Sequence, residues 1–204
     1  TAQAAGLGME VLDAAELLEE DAGLDTLVLD VKPDLILSLG GDGTLLSAAE
    51  IAYRDDVPLL VINLVHLGFF TATGADSIGE VLRQIAAGDY EIDPRMTLWV
   101  RVVRPDGSVH EDWALNDAAI LHSDMAHPAE FAFAVDGQVV STYAADGIIL
   151  ATPTGSTAYA FSTGGPVVWP ETQAVVIAPL AAHGLFTRPL VVSPNSYLEI
   201  GVLE

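Results

Sequence analysis

The sequence contains no cysteine, and this absence removes several kinds of site from consideration. Disulfides, thiolate zinc sites and cysteine nucleophiles all need a sulfur atom that this chain does not have. The chemistry of any active site must therefore come from oxygen and nitrogen side chains, from the main chain, or from a bound ion.

Basic residues are scarce, since 7 Lys and Arg residues stand against 29 Asp and Glu residues and the formal charge is -22. This balance argues against nonspecific binding to nucleic acid or to an anionic membrane. The simplest interpretation is a solvated acidic exterior. An anionic substrate would approach against this field, so a phosphate site must use local donors such as helix N-termini, main-chain N–H groups, a metal ion or an arginine.

Long apolar runs are also missing. Stretches such as Leu35–Leu39 and Leu59–Ile62 are too short to cross a bilayer, and Thr1–Glu20 lacks the basic start and apolar middle of a signal peptide. These features predict a soluble, cytoplasmic protein. With 204 residues, 51% of them hydrophobic, the chain can bury one good core or two small ones.

The first part of the chain alternates between strand and helix patterns. Leu35–Leu39 and Pro58–Ile62 have the length and composition of buried strands. Helical spacing occurs at Val11–Glu20, Thr44–Arg54 and Ser77–Ala87. This alternation predicts a parallel, Rossmann-like α/β domain over residues 1–88.

After residue 88 the pattern changes to short β-rich runs separated by turns such as Asp136-Gly137. The runs are Leu98–Val103, Val109–Leu121, Phe131–Val135, Val139–Tyr143, Ile148–Ala151, Ala174–Ala178 and Tyr197–Val202. They predict a β-rich domain over residues 89–204. Because no low-complexity linker separates the two parts, we expect them to pack together with a cleft between them.

A glycine-rich turn, Gly40-Gly41-Asp42-Gly43-Thr44, follows the first strong strand. It lies at the carboxyl end of the predicted parallel sheet, where open α/β folds bind ligands, and its glycines let the main chain approach phosphate closely. A carboxylate here would repel phosphate unless it binds Mg²⁺ or accepts a proton from a hydroxyl that attacks phosphorus. The alternative is a tight turn in which Asp42 only caps the helix.

This turn resembles the hallmark of a superfamily of NAD kinases, diacylglycerol and sphingosine kinases and, more distantly, phosphofructokinases. Asp146-Gly147 and the segment from Ala151 to Pro166 are similar to the second signature of NAD kinases, which lipid kinases do not carry. Supporting segments occur in the family's order: Asn63 to Phe70, Leu115-Asn116-Asp117, and His183-Gly184-Leu185 leading to Arg188-Pro189. The resemblance implies an NAD kinase-like fold.

The resemblance implies a role for each matching residue. Asp42 would be the general base on the 2′-hydroxyl of the adenosine ribose of NAD, with Gly41 and Gly43 beside it. Asn116 and Asp117 match the family's Asn-Glu pair, whose side chains hold the nucleotide.

Further residues would complete the dinucleotide pocket. Asp146 would bind the nicotinamide side of NAD, from a neighbouring subunit. The adenine and ribose site would be lined by Thr157, Ala158, Tyr159 and Ser162, with Phe69 and Phe70 in the position of the family's apolar wall. His127 falls where some members have a nucleotide-contacting histidine, although a surface imidazole needs no function. Ordinary packing or exposure is preferred for His66, His110, His122 and His183.

The small hydroxyl residues of the second signature have a chemistry of their own. Thr154 to Thr157 has a composition suited to a loop whose N–H and O–H groups face a polar ligand. The alternative is a Ser/Thr-rich turn. Arg188 is one of few cations, so it is a candidate to anchor a carboxylate or a phosphate.

The implied enzyme is an ATP-dependent phosphotransferase with an alcohol group as acceptor. Its substrates would be ATP and NAD, its cofactor Mg²⁺ or another divalent cation, and its assembly a homodimer or homotetramer. No side chain is predicted as a metal ligand. Because Thr44-Leu45-Leu46 stands where a phosphate-loop lysine would follow the glycines, the metal and the main chain must neutralise the polyphosphate.

The chain departs from the family pattern in its residues and its length. Val65 replaces a glycine, and Asp117 is one methylene shorter than the family's glutamate. Family members are expected to have an extra strand and helix before Thr1 and several strands beyond Glu204, so the β-rich domain is expected to be truncated.

Two alternatives stay open. One is a lipid kinase of the same superfamily, which Asp146 and the segment Thr154 to Ser162 argue against. The other is a catalytically silent NAD(P)-binding or regulatory module, which the departures favour.

Overall fold

The computed structural model describes residues 6–7, 32–63, 73–74, 78–122, 129–183 and 187–203. The chain divides into two compact units, Thr1–Asp93 and Pro94–Glu204. The helix predicted at Val11–Glu20 lies outside the described residues. No helix within the described ranges combines the length and the hydropathy needed to span a bilayer.

The first unit contains a parallel sheet. Its strands pair in the order β1 (Ile36–Gly40), β2 (Leu59–Asn63) and β3 (Thr73–Gly74). Helix α1 (Asp42–Asp55) follows β1 and packs against β1 and β2, whereas α2 (Ile78–Ala87) follows β3. The turn between β1 and α1 therefore lies at the carboxyl end of a parallel strand, as predicted.

Helix α1 is amphipathic. Its buried residues are Leu45, Ala48, Ala49, Ile51 and Ala52. They recur at intervals of three and four positions, so they form one stripe that faces the sheet. This packing holds the first turn of the helix, which carries Asp42, in a fixed position beside the end of β1.

The second unit consists of antiparallel sheets and short helical turns. One sheet has the order β11-β10-β9-β6, a second has the order β12-β7-β8, and β4 and β5 form a separate hairpin. The strands are β4 (Leu98–Val103), β5 (Val109–Ala114), β6 (Asp117–Leu121), β7 (Ala129–Val135), β8 (Gln138–Ala145), β9 (Gly147–Ala151), β10 (Val175–Leu180), β11 (Leu190–Val192) and β12 (Leu198–Leu203). A 3-10 helix covers Thr154–Thr157, and helix α3 covers Tyr159–Ser162.

Strand β9 is buried on both faces. Ile148 packs in a cluster with Phe131, Phe133, Ala145 and Ile177. Ile149 and Ala151 of the same strand belong to a second cluster, with Ala160, Val176 and Ala178. The two sides of β9 thus hold β7 on one face and α3 on the other, which sets the positions of Asp146 before the strand and Thr152 after it.

The structure corrects several predicted boundaries. The run Val109–Leu121 is not one strand, because the chain bends at Leu115-Asn116 and forms β5 and β6 on either side. Helix α1 begins at Asp42, two positions before the predicted Thr44. Strands Thr73–Gly74 and Leu190–Val192 were not predicted, since each is too short to show a pattern in sequence.

Candidate functional site

In the turn of the first unit, a glycine occupies the helix cap. Gly41 is the N-cap of α1, in an extended conformation with φ -99 and ψ -167, and its carbonyl accepts a hydrogen bond from the Leu45 N–H at 3.0 Å. No side-chain hydrogen bond caps this end. Asp42 is the first helical residue, so the alternative in which it serves as the cap is wrong.

Asp42 is exposed at the positive end of α1. The glycines around it have different requirements. A Cβ on Gly40 would lie 2.5 Å from Thr44 Oγ1, so close packing demands glycine there. A Cβ on Gly43 would meet nothing within 4 Å. Among the described residues, the space where a Gly43 side chain would lie is therefore open, and main-chain N–H groups at the helix start are available to an anion.

The second signature in the other unit follows β9. Thr152 is fully buried, and its hydroxyl donates to the Leu115 carbonyl at 2.6 Å and accepts from the Gly155 N–H at 3.0 Å. The Thr152 N–H donates to the Asn116 carbonyl at 2.9 Å. These bonds tie the start of the signature to the bend at Leu115-Asn116, which explains the interruption between β5 and β6.

Two hydroxyl residues of this segment, Thr154 and Ser156, are buried inside the loop. Ser156 is fully buried, and its hydroxyl donates to the Pro153 carbonyl at 2.7 Å and accepts from the Val168 N–H at 2.9 Å. Thr154 is also buried, and the Thr157 hydroxyl approaches the Thr154 carbonyl at 3.5 Å. For Ser156 the expectation of a ligand-facing hydroxyl is wrong, because its hydroxyl satisfies main-chain groups inside the loop. For Thr157 it stays a prediction.

Asn116 and Asp117 lie against the signature. A Cβ on Gly155 would overlap the Asn116 carbonyl, so only glycine allows this approach. Among the described residues, the buried Asn116 Oδ1 has no hydrogen-bond partner. A buried amide oxygen without a partner is costly, and a ligand N–H or O–H group would relieve that cost.

The carboxyl group of Asp117 has an unusual electrostatic environment. Burial raises its pKa above the ordinary value, and a hydrogen bond from the Tyr159 main-chain N–H opposes this effect without cancelling it. This contact joins the start of β6 to the start of α3. Perturbed carboxyl groups are more frequent at functional sites than elsewhere, although ion-pair networks produce them too.

Asp146 lies at the corner between β8 and β9. It lines a pocket of about 230 Å³ together with Leu121, His122, Tyr159 and Leu180. Asp146 Oδ1 is 3.3 Å from His122 Nε2. The structure thus brings together two predicted residues, Asp146 and Tyr159, and adds His122, for which ordinary packing or exposure was predicted.

Three of the other predicted residues lie in or next to helix α3, and three lie outside the described residues. Ser162 is the exposed last residue of α3, and Thr157 and Ala158 are half-buried. Phe69, Phe70 and His127 lie outside the described residues. Within the described ranges, no group of three or more His, Asp or Glu side chains could hold a metal ion.

Comparison with known families identifies the two units. Residues 12–90 match the ATP-NAD kinase N-terminal domain, and residues 115–204 match the ATP-NAD kinase C-terminal domain. The chain belongs to the ATP-NAD kinase family. The predicted family and the predicted fold class, a parallel α/β domain followed by a β-rich domain, are confirmed.

Curated family members show the same relationship. An NAD kinase of Rhodococcus erythropolis is 44% identical over 96% of this chain and 68% of its own length. One of Nocardia farcinica is 47% identical over 92% of this chain and 56% of its own length. The chain therefore spans between about half and two thirds of these relatives. Their names confirm NAD kinase as the predicted enzyme class.

Solved structures agree with the family. Yeast NADH kinase, crystallised with NADH, has a TM-score of 0.77 and 30% identity, and the match covers 83% of this chain and 50% of that chain. An NAD kinase from Archaeoglobus fulgidus in complex with ATP has a TM-score of 0.69 and 32% identity, covering 83% of this chain and 65% of that chain.

Proposed function

We propose that this ATP-NAD kinase family member transfers the γ-phosphoryl group of ATP to the 2′-hydroxyl of the adenosine ribose of NAD, giving NADP and ADP. The observation that carries the proposal is Asp42, an exposed carboxylate between glycines at the start of α1 and at the carboxyl end of β1. The relatives named NAD kinase support the substrate assignment.

The proposed reaction combines a proton transfer and a phosphoryl transfer at the same oxygen atom, the 2′-oxygen of NAD. Asp42 takes the proton of the 2′-hydroxyl as its oxygen forms a bond to the γ-phosphorus and the bond from that phosphorus to the ADP oxygen breaks. An acceptor-only side chain suits this role. Main-chain N–H groups at the start of α1, with Gly41 and Gly43 beside them, would bind polyphosphate oxygens.

We propose that Mg²⁺ or another divalent cation enters with ATP as part of the substrate. Mg²⁺ keeps several waters and binds through one or two carboxylates plus the phosphates of a nucleotide, so a protein cage of acidic residues is not required. In this proposal the phosphates of ATP and water hold the ion, and the Asp42 carboxylate serves as the base. The ion would supply neutralisation of the phosphate charge, which a lysine-free turn needs.

We propose that the second unit binds NAD. The unpartnered Asn116 Oδ1, the half-buried Asp117 and the pocket shared by Asp146 and Tyr159 support this assignment. The remaining predicted contacts are Phe69, His127, Thr157, Ala158 and Ser162, and they stay predictions. The contribution of Asp146 to the site of a neighbouring subunit also stays a prediction. A homodimer or homotetramer in the cytoplasm, where ATP and NAD are available, completes the proposal.

Production of NADP from NAD and ATP tests the proposal directly. The Asp42→Asn variant keeps the shape of the side chain and removes its basicity, so we expect its kcat to fall by about 100-fold or more. Its KM values should change little. Asp56→Asn is the matched control, because it makes the same chemical change beyond the other end of α1, in a left-handed conformation that Asn tolerates.

Two results would contradict the proposal in different ways. Near-native turnover by Asp42→Asn would show that Asp42 is not the base. Binding of NAD by the wild type without NADP formation would support a catalytically silent NAD-binding module instead. A wild type that phosphorylates diacylglycerol but not NAD would indicate a lipid kinase.

A further inference from the structure

The main chain of Asp146 is held from two sides. Its N–H donates to the Leu180 carbonyl at 2.9 Å, and its carbonyl accepts from the His122 N–H at 3.2 Å. Next to it, a Cβ on Gly147 would lie 2.5 Å from the Ile120 carbonyl, so β9 and β6 approach closely at this point. The main chain is thus fixed, and the direction of the carboxylate depends on what the side chain contacts.

The imidazole of His122 provides that contact. Its Nε2 lies 3.3 Å from Asp146 Oδ1, and the side chains differ in exposure: 14% for His122 and 54% for Asp146. The ring is therefore confined by its surroundings, whereas the carboxylate projects into solvent and the pocket. A confined donor beside an exposed acceptor restricts the rotamers of the acceptor.

The other ring nitrogen, the buried His122 Nδ1, has no hydrogen-bond partner within the described ranges. It therefore does not hold the ring in a different orientation there. The tautomer that carries its proton on Nε2 satisfies the geometry, since it donates to Asp146 and leaves Nδ1 as an acceptor. Among the described residues, the His122 ring then makes its polar contact with Asp146.

We propose that His122 is a positioning residue for nucleotide binding. It holds one oxygen of the Asp146 carboxylate, so that the other oxygen is directed to accept a hydrogen bond from an N–H group of the bound dinucleotide. This inference rests on the proposed function, because it assigns the pocket of Leu121, His122, Asp146, Tyr159 and Leu180 to NAD. Without the imidazole, the Asp146 carboxylate would stay free to rotate until the dinucleotide binds. The rotamer entropy would then be lost on binding, and the affinity for NAD would fall.

Substitutions at His122 separate positioning from packing. His122→Leu removes the donor, and we expect KM for NAD to rise about tenfold, the effect of one lost hydrogen bond, while kcat and KM for ATP stay within about twofold. His122→Gln can place an amide N–H near the Nε2 position and should restore most of the affinity. His122→Asn is the matched control, because its shorter amide cannot reach Asp146.

A purely structural role would give a different pattern. It would lower the melting temperature of all three variants and raise KM for both substrates, with no advantage of Gln over Asn. That outcome would overturn the inference.

A double-mutant cycle tests whether His122 acts through Asp146. If it does, His122→Leu combined with Asp146→Ala should bind NAD no more weakly than Asp146→Ala alone. Effects that multiply would overturn the inference. Calorimetric titration with NAD gives the same comparison without turnover, so a wild type that binds NAD but forms no NADP would refute the proposed reaction and still test His122.

Discussion

At the residue scale, Asp117 combines a cost in stability with its place in the candidate site. Its carboxyl group is half-buried, and the Tyr159 N–H is the compensating contact. Because burial raises the pKa, the folded state favours the protonated acid. The stability linked to this group is complete below its unfolded pKa and is lost as the pH rises through its folded pKa. At neutral pH the ionised group therefore lowers the free energy of unfolding.

We expect Asp117→Asn to unfold at a higher urea concentration than the wild type near pH 7, because Asn has no charge to bury and can still accept from the Tyr159 N–H. The difference should shrink as the pH falls into the range where the wild-type carboxyl, with its raised pKa, becomes protonated. The same variant should bind NAD more weakly. Urea unfolding at several pH values measures the first effect, and titration with NAD measures the second.

Asp106 is the control, because its pKa is shifted in the opposite direction to that of Asp117. Its pKa is lowered by hydrogen bonds with Ser108, whose N–H lies 2.8 Å from the Asp106 carboxylate. Asp106→Asn should therefore gain no stability near pH 7. An Asp117→Asn variant that is less stable than the wild type at neutral pH would contradict the account of burial.

At the element scale, β9 and the segment after it organise the second unit. The strand pairs with β6 on one side and β10 on the other, and its two ends carry Asp146 and Thr152. The 3-10 helix that follows packs on the bend between β5 and β6 so tightly that only a glycine fits. Buried hydroxyl groups fix the loop, which leaves the bend and the start of α3 to face a ligand.

Gly155→Ala tests this packing between elements. Its methyl group would overlap the Asn116 carbonyl, so the bend must move, and we expect a loss of stability of about 1–3 kcal/mol together with a higher KM for NAD. Gly201→Ala is the control, since the nearest atom to its Cβ would be Ala132 Cβ at 4.0 Å. Thermal unfolding and initial rates measure both variants. Equal, small effects for the two would contradict the tight packing.

At the scale of the whole molecule, the charge of -22 sets how anionic substrates approach. Exposed charges repel an incoming nucleotide over distances of about 8–10 Å at moderate ionic strength, and added salt screens this repulsion. Main-chain N–H donors at the start of α1 act at contact distance, so salt screens their attraction for the nucleotide less. The acidic exterior therefore affects association more than it affects the bound state.

We expect moderate salt to raise the association rates of ATP and NAD, with the larger increase for ATP because it carries more negative charge. Stopped-flow binding measured across a range of salt concentrations tests this. Adenosine, which is uncharged, is the control and should show little change. Association rates for ATP that fall steeply with added salt would refute the expectation.

The sequence by itself determined the family, the order of an α/β part and a β-rich part, and Asp42 as the candidate base. These follow from contiguous patterns: strand and helix periodicity, and a glycine turn whose residues are neighbours in the chain. It also indicated Asn116, Asp117, Asp146 and Tyr159 through the resemblance. Phe69 and His127 remain predictions.

Only the tertiary structure decided which of these residues meet. Thr152 and Leu115 are 37 positions apart, and His122 and Asp146 are 24 apart. No local pattern encodes such pairs, because they depend on which strands become neighbours and on how the buried faces of β9 pack. For this reason the bend at Leu115-Asn116, the inward hydroxyl of Ser156 and the partner of Asp146 became apparent only in the folded chain.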